Sequence, residues 1–372
     1  KIEKGKSMVR RRMTSFMVIL WFVLLIFGRG ESATPGNCEQ TLAKAKQEGK
    51  VVLGTGVGIP AFRQNVVSTF AKRFGFDVEI RVLEGAELTT VVGRECSAGR
   101  PSIDVLLGGL SELISLYPKG CLAPAKSRLI LDEAVNPENW KGGSLKWTDP
   151  EGQYFLQTSD QVYGSLIMNS NLVKAQEITF MRDLLKPQYA GKIASYDPRK
   201  SGAGQSDATY WYAALGEDFV KRLFVDQKVV YTSDHHQLAE WIARGVYLVG
   251  LGSVDRNVEP MRQEGLPIGI IPSLKDAPGY ITGGSSVLKL VKDSPHPSGA
   301  TVLLNWLASK EGQEIFSQAS GHPSRRIDVG SKGVPSHRIP NPAIVYLDSY
   351  TYEFYSKKRP EISKKLTELL GR

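Results

Sequence analysis

Between Gly191 and Gly216 the chain reads GKIASYDPRKSGAGQSDATYWYAALG, and its residue types suit the holding of an anion. Residues 192–196 alternate polar and apolar positions like a short buried strand. Asp197-Pro198 stops that strand, because the residue before proline leaves helical space and proline cannot continue a central ladder. Ser201-Gly202-Ala203-Gly204 follows as a loop of small residues, and from Gln205 onward Ala208, Tyr212 and Leu215 share one helical face. A strand, a small-residue turn and a helix start leave several backbone N–H groups unpaired and aimed at one spot. The helix dipole adds partial positive charge there. Plain turns of the same composition also precede helices, so the residues by themselves leave both readings open.

His235-His236 is the next candidate. Histidines bind metals and exchange protons near neutral pH. This pair opens a helix behind Asp234, where neighbours face different directions, so polar helix-start residues are the alternative reading. CxxC-type clusters are absent, and so is the Gly-x-Ser-x-Gly nucleophile motif. The turn Gly54-Thr55-Gly56-Val57-Gly58 misses the dinucleotide fingerprint, since its sixth position is Ile59. No catalytic residue, metal ligand or cofactor is expected.

These groups need a framework. A chain of 372 residues is longer than one core usually supports, which predicts two lobes. Arg10-Arg11-Arg12, twelve apolar residues at 16–27 and the small residues Gly30, Ser32 and Ala33 form the three regions of a secretory signal, here placed at 1–33. That segment carries seven Lys/Arg and two Asp/Glu, which leaves a mild +4 on the rest. No basic stripe with interleaved aromatics is present, so no nucleic-acid partner is expected. Among Cys38, Cys96 and Cys121, two can pair in an oxidising compartment, and the sequence does not choose which.

From residue 50 the pattern alternates strand (50–54), helix (61–74), strand (76–83), helix (88–98) and strand (103–107), with short turns. Such alternation predicts a parallel sheet covered on both faces, with ligand sites beyond the carboxyl ends of the strands. Further strands are expected at 154–169, 228–232, 247–251, 268–271 and 286–290. Late helices are expected at 298–307, 311–319 and 361–370.

Motifs spread along the chain carry a family resemblance. Gly191-Lys192-Ile193-Ala194, Asp197-Pro198-Arg199 and Ser201-Gly202 resemble the second-lobe signature of ABC-importer solute-binding proteins of the ferric/thiamine/polyamine-like group. Ser102-Ile103-Asp104-Val105, Asp183-Leu184-Leu185-Lys186-Pro187, Pro295-His296-Pro297 and Leu304-Asn305-Trp306-Leu307-Ala308-Ser309 follow in that family's order. The resemblance implies an α/β, two-lobed periplasmic-binding-protein-like (type 2) fold. Each lobe would be a mostly parallel sheet flanked by helices, joined by a two-crossover hinge near 157–167 and 271–283. Lobe 1 would hold 34–157 and 280–335, and lobe 2 would hold 158–279 and 336–372. It also implies a monomer in the periplasm that captures a small-molecule solute and delivers it to an ABC permease in the inner membrane.

By the same resemblance, Ser201, Gly202 and Ala203 match the anion-binding turn. Thr55, Gly56 and Val57, with Gly108 and Gly109, would form the opposing wall. Arg199 would add a charge-assisted bond or serve a structural pair. Asp160 and Gln161 lie at the first crossover, where hinge and ligand roles are both open. His235, Gly252 and Ser253 complete the ligand-contacting set. Ferric binders of this group carry neighbouring tyrosines after a late second-lobe strand. Here that stretch is Val249-Gly250-Leu251-Gly252-Ser253-Val254-Asp255, which points instead to a small organic anion. A ferric-ion binder using a synergistic anion is the alternative, and an exported enzyme or a sensory subunit comes after it.

Overall fold

The computed structural model describes residues 35–371 apart from 58, 59, 84, 201 and 272. The expected signal at 1–33 and the candidate Ser201 lie outside the described residues.

Two α/β lobes are built on separate mixed sheets. The first runs Asp77–Val82, Lys50–Thr55, Val105–Gly108, Val287–Val291, Leu156–Gln157, Lys146–Trp147, with Leu122–Ala123 also paired to Val287–Val291. Lys50–Thr55 is buried at every position after its first because both faces of the sheet are covered. Val51 and Leu53 point into one cluster with Phe62, Val66 and Phe70, while Val52 points the other way to Leu88, Val92 and Leu106. On the Pro60–Phe74 helix those three side chains recur every four residues and are fully buried. Phe62 meets Phe316 edge-on at 5.7 Å, and Phe70 meets Trp306 at 5.4 Å. Each such side chain contributes about 1.5–3 kcal/mol.

The second sheet runs Val230–Thr232, Ile193–Tyr196, Val249–Leu251, Leu166–Asn169, Ile268–Ile271. Its faces divide the same way. Leu166 and Met168 join the larger cluster with Trp211 and Phe224, and Ile167 joins Ile242 and Val258 under the His235–Ala243 and Asp255–Gln263 helices.

Each sheet keeps three parallel strands, around Lys50–Thr55 and around Ile193–Tyr196. The other pairings are antiparallel, so the sheets are mixed rather than mostly parallel. The reason is the route of the chain. Leu166–Asn169 and Val287–Val291 each follow a crossover, so each enters its lobe beside the carboxyl ends of the parallel strands and runs against them: Val287 starts opposite Gly108, and Ile167 lies opposite Gly250.

The expected crossovers meet as an antiparallel pair, Gln161–Tyr163 with Tyr280–Thr282. A third strand, Leu347–Asp348, joins Tyr280–Thr282 in parallel, an addition that two residues behind a proline-rich run did not announce. Beyond it Tyr350 packs into the first lobe's core, and Ile362 and Leu366 of the Arg359–Leu370 helix pack into the second's. The disulfide left open by the sequence is Cys96–Cys121, with Cα atoms 5.7 Å apart, and Cys38 keeps its thiol.

Candidate functional site

The second lobe gathers candidates at the carboxyl ends of its three parallel strands. Thr232, Tyr196 and Leu251 end side by side, so the residues that follow them share one rim. Gly202 has φ 140°, and the helix Ala203–Leu215 begins at the next residue with no side chain capping it. A side chain on Gly204 would place its Cβ 2.3 Å from the Tyr196 carbonyl oxygen, and one on Gly252 (φ +70°) would meet the Gly204 Cα at 2.6 Å. The strand ends therefore grip the helix start at a distance only glycine permits. His235 stacks on Tyr196 with ring centroids 3.9 Å apart, and a Cβ on Gly202 would meet the same ring at 3.3 Å. Asp234 accepts bonds from the N–H groups of His236 and Gln237 and so fixes the start of the His235–Ala243 helix. Gly202, Ala203, His235, Gly252 and Ser253 thus lie on one rim.

Arg199 does not join them. Its Nε and Nη2 donate to the two Asp197 carboxylate oxygens at 2.9 Å each, and its guanidinium lies 5.2 Å from the Tyr231 ring centroid. The pairing holds Asp197 below the usual carboxylate range. Of the two roles open to Arg199, the geometry shows the structural pair.

In the first lobe, Thr55 and Gly108 end neighbouring strands, which puts Gly56, Val57 and Gly109 on one rim. Thr55 and Val57 are buried supports: the Thr55 hydroxyl accepts the Val57 N–H at 3.0 Å, while Gly56 is half-buried. The Gly109 carbonyl accepts a bond from Lys289 Nζ at 2.9 Å. Lys289 also pairs with Glu112 at 3.0 Å, with both side chains out of solvent. Asp160 is taken up by the hinge, where it pairs with Arg325 and Lys146 and accepts a bond from Gln157 Nε2. Gln161 is fully buried with neither amide atom bonded, and a methyl on Gly284 would touch both its Nε2 and His322 Nε2.

Several residues at the hinge were not among the site candidates read from the sequence. Asp207 is buried one turn into the Ala203–Leu215 helix, where Tyr280 donates its hydroxyl at 2.9 Å. Burial pushes its carboxyl up to about 7, against the bonds from Tyr280 and the Gly252 N–H. Asp255 accepts a bond from Arg338 Nε at 2.6 Å and pairs with His337 Nε2 at 2.9 Å. Arg338 also donates to the Ser320 and Gly321 carbonyls at the end of a first-lobe helix, so it ties the lobes together. An aspartate beside Ala208 on an apolar helical face was the one readable hint of Asp207. Arg338 sits in a proline-rich run with none.

The arrangement offers backbone N–H groups at a helix start, a stacked histidine and small-residue walls, which suits reversible binding. Among the described residues no three His, Cys, Asp or Glu converge as a metal-binding group.

Solved structures share this fold. Iron-bound HitA of Pseudomonas aeruginosa is 19% identical, with a TM-score of 0.64 over 87% of this chain and 99% of that one. Fructose-6-phosphate-bound AfuA of Actinobacillus pleuropneumoniae is 17% identical, with a TM-score of 0.63 over 86% and 98%. Trichodesmium IdiA (FutA), in complex with iron and citrate, gives 19% and 0.63 over 87% and 99%. In sequence, an uncharacterised protein of Haemophilus influenzae is 26% identical over 261 residues, 66% of this chain and 70% of its own length. Residues 55–314 match the family model described as bacterial extracellular solute-binding protein, and with that match spanning well over half its length the chain belongs to this family.

Proposed function

We propose that this chain is the periplasmic solute-binding subunit of an ABC importer, which captures a small organic anion between its lobes and hands it unchanged to an inner-membrane permease. The observation that carries this reading is the uncapped start of the Ala203–Leu215 helix, held at glycine distance from two strand ends. First-turn N–H groups at Gly202–Ala203, with Ser201 before them, would hold a carboxylate or phosphate. Gly56 and Gly108–Gly109 would supply the opposite wall. Lobe 1 would comprise 34–157 and 280–335, and lobe 2 would comprise 158–279 and 336–372, with an export signal ahead of them. Solute that touches the second lobe only when the lobes are closed shifts the population toward that state, and the closed monomer is what the permease would recognise. The stretch after Val249–Leu251 offers Gly252, Ser253 and Asp255 in place of a tyrosine pair, which favours an organic anion over bare ferric ion. No group is assigned to bond making or breaking.

Native mass spectrometry of the purified protein tests this directly. The expected result is one organic anion per chain. When added back to refolded protein at 100 times its Kd, it should stabilise the fold by about 2.7 kcal/mol. A purple protein on addition of ferric ion with phosphate or citrate, or recovery of a chemically altered ligand, would overturn the reading.

A further inference from the structure

A cavity of about 70 Å³ lies at the hinge, with walls from three parts of the chain. Ser206 and Thr209 come from the Ala203–Leu215 helix, Tyr280 and Thr282 from a hinge strand, and Tyr350 and Arg359 from the C-terminal segment. Most of its polar groups are engaged. The Tyr280 hydroxyl goes to Asp207, the Tyr350 hydroxyl goes to the Gly284 carbonyl, and the Thr282 hydroxyl accepts the Gly284 N–H.

Arg359 is different. Its guanidinium makes one hydrogen bond, from Nη2 to the Ser206 hydroxyl at 3.2 Å, and lies 4.9 Å from the Tyr355 ring centroid. No carboxylate of the described residues pairs with it. Arg199, Arg325, Arg326 and Arg338, by contrast, each hold one. Thr209 is the second observation: 1% exposed, it lines the cavity with a hydroxyl bonded to nothing. A threonine inside a helix ordinarily returns its hydroxyl to the carbonyl four residues back, and this one does not. Asp207 lines a separate small cavity with Ser253 and Arg338, so it does not supply the missing charge here.

A half-buried guanidinium with unused N–H groups, beside two hydroxyls and no carboxylate, fits an oxyanion, whose paired oxygens match the guanidinium fork. We propose that this cavity binds one oxyanion group, a carboxylate or phosphate, at Arg359, Ser206 and Thr209. The site is distinct from the turn at Gly202–Ala203. Its walls belong to both lobes and the hinge, so occupancy is coupled to the lobe arrangement. The group is either a free anion or one end of the captured solute, and the second case rests on the function proposed above.

Inorganic phosphate is the probe, titrated calorimetrically into the full chain after unfolding, dialysis and refolding. Saturable binding of one phosphate at this cavity, at millimolar phosphate or tighter, is expected beside any that the turn at Gly202–Ala203 takes. Arg359→Gln should weaken it about 10- to 100-fold, the equivalent of one charge-assisted bond. Thr209→Val keeps the side-chain shape and should weaken it several-fold while leaving the urea midpoint at or above the wild-type value, since it removes an unpaired buried hydroxyl, which separates a lost site from a damaged fold. Absence of saturable binding, or equal phosphate affinity in wild type and Arg359→Gln, would overturn the proposal. The same titration on protein still carrying its co-purified solute identifies the source: unchanged affinity marks a free-anion site, and loss of binding marks a subsite filled by the solute. Both results support the cavity as an oxyanion site, and neither depends on whether the chain serves a permease.

Discussion

Replacing Asp207 with asparagine should remove a pH dependence of stability that the wild-type chain carries. In the folded protein burial lifts the Asp207 carboxyl from 3.8 to about 7, so between those values the folded chain keeps a proton that the unfolded chain has released. That contribution is complete below the unfolded pKa and is lost as pH rises through the folded one. Between pH 5 and pH 8 it falls by about 2.7 kcal/mol, at 1.36 kcal/mol per pKa unit. His322 works in the opposite direction. Desolvation and the Arg338 guanidinium push it down to about 3, so its contribution grows as pH rises toward 6.5. His322 keeps a partly open edge by surface area, but its Nδ1 lies 3.0 Å from the Ser320 carbonyl oxygen and its Nε2 is close against Gly284, so the nitrogens sit inside. The raw profile of the wild type therefore mixes two opposed slopes, and the difference from Asp207→Asn isolates one of them. Asparagine retains a carbonyl oxygen for the Tyr280 hydroxyl. Urea unfolding of the refolded chain at pH 5, 6, 7 and 8 measures the difference. Wild type should lose about 2–3 kcal/mol relative to the variant over that range. Parallel profiles, separated by a constant within about 0.5 kcal/mol, would show that the carboxyl has an ordinary pKa and is not shut away from water at the helix-to-hinge contact as described.

Two further substitutions probe the rims. Gly204→Ala would place a methyl carbon 2.3 Å from the Tyr196 carbonyl oxygen, so the helix start must lift from the strand end. A loss of about 3 kcal/mol or more in urea unfolding is expected, and a loss below about 1 kcal/mol would show that the close grip is absent. Lys289→Met leaves Glu112 buried without its cation and should cost about 3–5 kcal/mol. Adding Glu112→Leu should recover most of that loss, and a double variant no more stable than the single one would argue against a coupled buried pair.

What the sequence could disclose depended on how far away each residue's partner lies. The Pro60–Phe74 helix and the Lys50–Thr55 strand were readable within a residue or two, because their apolar spacing is complete inside one segment. The turn at Gly202–Ala203 was equally local, since proline and glycine punctuate it. Arg199 was a near miss of the same kind: its partner is two residues upstream, and an Asp-Pro-Arg turn already contains the pair that removes the guanidinium from the rim. Mixed sheet order was not readable, because strand direction follows from which side of a crossover the chain enters, and no side-chain pattern encodes that. The hinge groups form the extreme case. Asp160 meets Arg325 across 165 positions, Asp207 meets Tyr280 across 73, and Ser206 meets Arg359 across 153. A hinge built from three separate passes of the chain must draw its contacts from distant segments. The charged and polar groups that hold the hinge together are therefore the ones a linear reading assigns last. Arg359 illustrates the point: in sequence it belongs to a basic helix flank beside Lys357 and Lys358, and only the third pass through the hinge brings its guanidinium to Ser206 and the hinge cavity.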